Sequence, residues 1–494
     1  MIRQRIQKLT ALVVLLCAAL LPSAAIAQGA APDGETLERI EDYVAEQFRS
    51  NGIIGGSYAI VRDGEVVAAA GLGVADLETE EPVTPETVYA TASVTKVFTA
   101  AAILKLAEEG TIDLDAPVRT YIPWFTYKDR ERSENVTIRH LLLHAAGVSR
   151  FEADGSIFRD EKNNRDSLEN AVRALGTVSM TDDPGERGAY CNSCYNVLGL
   201  VIEHATGADY EQYMKDIWFT PLGMEATSFD SAHAAHTASE YHWMFGMKRK
   251  SAPNHVVFGA SQNPEGGIYS NVLDLSRFLA AMMGDGERPM LSAETLSRSQ
   301  QGEIDAGDDA EYTLSGFEEK RIRGTRVLYK AGDGIGSTAY ALMIPELRIG
   351  ISILVGDSVP EFAAPLAEGM AAILLGETPD DVRVGVTFWR LLGFVSLGLV
   401  IIGLVLLLLL AASIVKGLRS PKPLKRKWRV IVRTALSAAF ALPVAWLLIA
   451  VHPTQIGFYG YPHDFAIGLL SVLTACGLWT VFGLAQLAVG KGAR

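Results

Sequence analysis

The chain has 494 residues, 49% of them hydrophobic, and a formal net charge of −13 at pH 7. Length and apolar content allow a large folded domain with a further region beside it, while the acidic balance argues against nucleic acid and anionic membrane as binding partners. Four cysteines are too few for a disulfide scaffold.

Residues 1–27 read as a secretory signal. Arg3, Arg5 and Lys8 precede an uncharged stretch from Leu9 to Leu21, and Ala25-Ile26-Ala27 closes it as a small-residue cleavage site. An exported segment is then expected at 28–387, and it carries 30 Lys and Arg against 56 Asp and Glu. From Gly56 to Val74, two apolar runs flank Arg62-Asp63-Gly64-Glu65, the pattern of a β-hairpin with a tight turn.

Ser93-Val94-Thr95-Lys96 stands at the start of the helical run Val94–Glu109. A Ser one helical turn before a Lys places a weak nucleophile and a potential base on one face. The hydroxyl reacts only when its proton is taken, and Lys can take it only if burial or another cation weakens its own hold on a proton. The same spacing recurs at Ser413-Ile414-Val415-Lys416, so spacing alone does not decide.

Helical patterns follow at Val136–Leu143, Asn196–Ala205 and Leu273–Met283. Ahead of the second, Tyr190-Cys191-Asn192 offers a phenol that can relay a proton and an amide that can orient a ligand, and Tyr269-Ser270-Asn271 repeats the pattern. Cys191 and Cys194 can form a bridge or a redox pair, but no thioredoxin-like context surrounds them, and the preferred reading is two small, partly buried residues. The acidic, Gly-containing stretch 300–312 is expected as a surface excursion.

Val327–Lys330, Ser337–Ile344 and Arg348–Val355 read as strands, with Pro345-Glu346 in the last turn. Lys330-Ala331-Gly332, on an expected edge strand, supplies a second cation able to hold a carboxylate and a Gly that admits close backbone approach. Strands at both ends with helices between predict a sheet closed by both termini plus a helical region, with the active site at the seam.

At the far end, Leu391–Val415, Thr434–Val451 and Phe465–Gly490 are uncharged runs of 25, 18 and 26 residues, each long enough to cross a hydrocarbon core. The loop between the first two, 416–433, carries Lys416, Arg419, Lys422, Lys425, Arg426, Lys427, Arg429 and Arg433, whereas the next holds Asp464 and no Lys or Arg. The basic loop is expected in the cytoplasm, which puts 28–387 outside, in agreement with the signal.

Several blocks occur in a fixed order: Tyr89-Ala90-Thr91-Ala92-Ser93-Val94-Thr95-Lys96, then His140-Leu141-Leu142-Leu143-His144-Ala145-Ala146-Gly147, then Pro184-Gly185 ahead of Tyr190-Cys191-Asn192. Pro221-Leu222-Gly223-Met224, Gly266-Gly267 with Asp274-Leu275, and the Lys330 strand complete the set. With these blocks the chain resembles the serine β-lactamase and penicillin-binding-protein superfamily, in its class C-like branch, from about Leu37 to Gly356.

The resemblance implies an α/β (α+β), two-lobed fold, which the three transmembrane helices read from the apolar runs would follow, and it favours Tyr190 over Tyr269. It further implies Ser93 as acylated nucleophile, Lys96 and Tyr190 as the proton-handling pair, and Asn192 and Lys330 as substrate-binding residues. Backbone N–H groups of Ser93 and Asp333, beside Gly332, would form the oxyanion hole. His144 is expected as a structural turn residue. Ala331 departs from the usual Thr and removes a hydroxyl that would help bind a substrate carboxylate, whereas retention of Lys330 points toward such a carboxylate.

The expected protein is a membrane-anchored serine hydrolase of a bacterial inner membrane with its catalytic domain in the periplasm. It would act on small-molecule or peptide amides or esters, such as cell-wall D-Ala peptides or β-lactams, with no metal or cofactor. An esterase of the same fold and a non-hydrolysing receptor signalling through the spans are the alternatives.

Overall fold

The structure is a computed structural model that describes residues 32–149, 153, 166–230, 236–251, 259–286, 289–385, 388–419, 427–450 and 463–489. The expected signal, 1–27, and much of the basic loop lie outside the described residues.

Helix α1 (Gly34–Asn51) begins where the Asp33 side chain accepts the Thr36 N–H at 2.8 Å and ends at Gly52 with φ +63°, a side-chain cap and a left-handed stop. It buries Ile40, Val44 and Phe48. Strands β1 (Gly55–Arg62) and β2 (Glu65–Gly73) form the expected hairpin, with Arg62 opposite Glu65. The two turn residues, Asp63 and Gly64, both have positive φ, at 49° and 83°, the backbone twist that an Asp-Gly hairpin turn supplies. A two-residue strand β3 (Tyr89–Ala90) leads through a 3-10 turn at Ala92–Val94 into α2 (Thr95–Glu108), which is apolar almost all round and buried accordingly.

Helix α3 (Asn192–Thr206) starts four residues earlier than its apolar periodicity predicts, because Cys191 caps it and its first residues are already buried. The hairpin β4 (Tyr241–Met244) and β5 (Met247–Lys250) follows, then the short α4 (Asn263–Gly266), β6 (Tyr269–Ser270) and α5 (Val272–Met282). Strand β6 pairs with β3, and Asn271 caps α5 by accepting the Asp274 N–H at 2.8 Å. The second Tyr-x-Asn tripeptide is therefore spent on structure.

The remaining strands are β7 (Gly302–Gly307), β8 (Ala310–Thr313), β9 (Glu318–Ile322), β10 (Thr325–Asp333), β11 (Thr338–Ile344) and β12 (Ile349–Val355). With β1 and β2 they form one antiparallel sheet in the order β2-β1-β12-β11-β10-β9-β8-β7. Early and late strands thus meet as β1 beside β12, as expected.

Both faces of the central strands are buried. Along β11, Ala339, Ala341 and Met343 face the helical lobe, while Tyr340, Leu342 and Ile344 face α1 and α6 (Pro360–Leu374), the period-2 alternation of a pleated strand. Helix α5 closes on β12 where Gly350 leaves room, since a Cβ there would sit 3.1 Å from Leu279 Cβ.

Two expectations about this sheet need correction. The stretch 300–312 is not a loose excursion but contributes β7 and most of β8, and its alternating burial shows why: one side of β7 covers the loop ahead of α3, with Asp305 O 2.5 Å from where a Cβ on Gly188 would lie. Nor is β10 an edge strand along its length, because β9 pairs with it from Thr325 to Tyr329. That pairing stops at Tyr329, so only Lys330–Asp333 present an open edge.

Beyond the sheet domain lie α7 (Phe388–Arg419), α8 (Lys427–Ala450) and α9 (His463–Val489). Among the described residues two helices, rather than three, are long and apolar enough to cross a membrane, Arg390–Lys416 and Ile467–Leu487. The expected middle span falls in α8, which carries Pro443 inside it. Trp479 on α9 donates its indole N–H to Leu406 O on α7 at 2.8 Å. Apart from Val66, Leu77 and Met247, every exposed large apolar side chain among the described residues is on these three helices, a surface suited to lipid rather than to water.

Candidate active site

Ser93 occupies the 3-10 turn at the mouth of α2, directly after Ala92, which is held at φ +44°. A left-handed Ala costs about 1–2 kcal/mol, strain of the kind that gathers at functional turns. One turn on, Lys96 is wholly buried, and its Nζ lies 3.0 Å from Ser93 Oγ. The Tyr190 hydroxyl donates to the same Oγ at 2.8 Å. The three residues singled out as nucleophile and proton-handling pair therefore converge on one oxygen, from elements 97 residues apart.

Tyr190 is aimed by His144. The His144 carbonyl accepts the Ala189 N–H at 2.8 Å and its Nδ1 accepts the Cys191 N–H at 3.0 Å, so one residue grips the backbone on both sides of the phenol. The two rings stack at 4.6 Å. This agrees with a structural role for His144, which holds φ +55° at its turn. Cys191 and Cys194 are bonded to each other, both sulfurs buried. The preferred reading of two unlinked residues is corrected: the first turn of α3 brings positions three apart onto one face, close enough to join. Asn192, the first residue of α3, is buried beside this bridge.

Sequence reasoning missed two carboxylates. Glu265, on α4, accepts from Lys96 Nζ at 2.8 Å through Oε2, and its carbonyl accepts at 2.8 Å as well. Together with Ser93 Oγ these acceptors match the three hydrogens of an ammonium group. Glu318, on β9, lies 2.9 Å from Lys330 Nζ. Burial by itself would lower the affinity of Lys330 for its proton, but Glu318, with the Tyr190 and Tyr195 hydroxyls, holds it above the ordinary lysine range. Burial likewise works against the Glu318 carboxylate, and Lys330 outweighs it, so Glu318 stays below the usual range. Lys330 is thus a buried, paired cation 4.7 Å from the centre of the Tyr190 ring.

Gly332 lets β10 press against the Ser93 turn. A Cβ there would lie 2.2 Å from Thr91 O and 3.2 Å from Ser93 N. Asp333 ends the strand and is exposed. The second Ser-x-x-Lys, at Ser413 and Lys416, is in the long apolar helix α7.

One buried acid behind the β10–β11 turn has a consequence for stability. Glu240 accepts the Ala90 N–H at 3.3 Å, and burial pushes its carboxyl up to about 7 against the smaller, opposite effect of the Ala90 and Ser337 hydrogen bonds. A carboxyl with a raised folded value stabilises fully below its unfolded value of 4.5 and loses that contribution as pH climbs through 7. Glu240→Gln should therefore unfold at a higher temperature than wild type at pH 8 and at a similar one near pH 4.5, a difference worth up to about 3 kcal/mol. Melting curves at the two pH values check it; an equal offset at both would contradict the assignment.

Residues 38–375 match the Beta-lactamase family. The chain belongs to that family. Within it, Protein flp of Staphylococcus aureus (strain MW2) is 26% identical over 323 residues, covering 65% of this chain and 63% of flp, so the chain aligns with less than two thirds of that relative's length. Esterase EstB of Burkholderia gladioli is 30% identical over 293 residues, covering 53% of this chain and 74% of EstB. Among solved structures, the octameric penicillin-binding protein homologue from Pyrococcus abyssi superposes with a TM-score of 0.60 at 28% identity, over 70% of this chain and 79% of that one. A class C β-lactamase gives 0.59 at 19% identity, over 70% and 98%, a likeness of fold. The sheet and its helical lobe are those of this family.

Proposed function

We propose that this Beta-lactamase family chain is a membrane-anchored serine hydrolase that cleaves an amide or ester through an acyl-enzyme on Ser93. The observation that carries the reading is the convergence of Lys96 Nζ and the Tyr190 hydroxyl on Ser93 Oγ, at 3.0 and 2.8 Å. Ser93 Oγ bonds the substrate carbonyl carbon as its proton passes to the Lys96–Tyr190 pair, in the state where that pair lacks one. The C–N or C–O bond then breaks and the leaving group takes the proton. Water repeats the sequence to release the acid. Backbone N–H groups of Ser93 and Asp333 are the proposed oxyanion donors, and Gly332 keeps β10 and the Ser93 turn close enough for the purpose.

The apolar exterior of α7, α8 and α9 supports anchoring, and the buried Cys191–Cys194 bridge supports an oxidising compartment outside the cytoplasm. EstB is named an esterase, which keeps ester cleavage level with amide cleavage. The test is covalent labelling of the detergent-solubilised protein with a fluorophosphonate, read by intact mass. One adduct on wild type and none on Ser93→Ala is the expected result. Equal labelling of the two would remove Ser93 from the reaction.

A further inference from the structure

The two lysines of the site are each neutralised from within. Lys96 is paired with Glu265 at 2.8 Å and Lys330 with Glu318 at 2.9 Å, and both lysine side chains are almost wholly buried. The register of the sheet makes the second pair: Glu318 stands opposite Tyr329 on the neighbouring strand, one residue from Lys330. The edge that β10 offers beyond that point, Ala331-Gly332-Asp333, carries no hydroxyl and no cation, and its one charged side chain is the exposed carboxylate of Asp333.

A substrate carboxylate placed beside this edge would add a second negative charge near Asp333 and would compete with Glu318 for the Lys330 charge. Breaking such a buried pair leaves an uncompensated charge inside the protein, which is strongly unfavourable. An acyl donor with no charge beside the scissile bond meets neither obstacle. Its developing oxyanion is served by backbone N–H groups, which the two ion pairs leave untouched.

We propose that this site selects neutral acyl donors, esters foremost, and discriminates against substrates bearing a carboxylate next to the scissile bond, because Glu318 already occupies Lys330. The proposal rests on the serine hydrolase reading above and specifies the substrate class. In the acyl transfer concerned, Ser93 Oγ displaces an alcohol that leaves with the proton Ser93 gave up, and no further reactant enters before water.

The experiment uses the full-length protein in detergent and needs no variant in its first arm. Acylation by benzylpenicillin is compared with acylation by its methyl ester, alongside 4-nitrophenyl butyrate turnover. Wild type should turn over the butyrate ester and be acylated at least tenfold faster by the methyl ester than by the free acid. The second arm takes Glu318→Gln, which keeps the shape and releases the Lys330 charge. Its preference should swing at least tenfold toward the free acid, and Lys330→Met on top should cancel the swing. Equal reaction of wild type with acid and methyl ester would overturn the proposal, as would an unchanged preference in a folded Glu318→Gln protein. Absence of any Ser93 adduct, with the fluorophosphonate included, would overturn instead the hydrolase reading beneath it.

Discussion

Replacement of Lys96 by Met is expected to lower kcat for a 4-nitrophenyl ester by about 10²–10⁴-fold, the usual worth of a positioned proton-transfer group, and at the same time to destabilise the fold by about 3–5 kcal/mol. The two effects have separate origins. Activity falls because Nζ, 3.0 Å from Ser93 Oγ, is the nearest nitrogen able to exchange its proton. Stability falls because Glu265, nearly as buried as Lys96 itself, is left as a carboxylate without its cation. The double variant Lys96→Met with Glu265→Gln separates them: chemical denaturation should show most of the lost stability restored while activity stays low. If the double variant were no more stable than Lys96→Met, the pair would not be a buried ion pair of consequence.

Gly332→Ala should cost about 10²-fold in kcat/KM with modest loss of stability. The added methyl would sit 2.2 Å from Thr91 O, 3.1 Å from Val94 N and 3.2 Å from Ser93 N. All three are backbone atoms, so relief requires β10 and the nucleophile turn to separate, and a misplacement near 1 Å is enough for a loss of that order. Gly34→Ala, where a Cβ meets nothing within 4 Å, should change neither quantity. Steady-state kinetics and melting of the two variants make the comparison. A Gly332→Ala enzyme with full activity would mean that the strand does not bear on the turn.

The pairing of Ser93 with Lys96 was legible because the two are local. A helix puts residues three apart on one face, so Ser93 and Lys96 could be paired from spacing, and the ordered blocks around Tyr190 distinguished it from Tyr269. The Asp63-Gly64 turn and the strands flanking it were equally plain, since turn chemistry and period-2 burial are written over a few residues. The same locality limited the reading of 300–312, whose polar composition hides the alternation of β7, and of the middle apolar run, which the fold holds in α8 with Pro443 inside it.

The sequence by itself determined the family-like order of blocks, the nucleophile turn and the division into an acidic folded segment and an apolar C-terminal region. Only the tertiary structure decided how the charges of the site are spent. Glu265 is 169 residues from Lys96, and Glu318 meets Lys330 only through the register of β9 on β10. Helix and strand periods follow from the bonding of near neighbours along the chain. An ion pair between distant elements follows from how whole layers pack, and short-range spacing carries no trace of it.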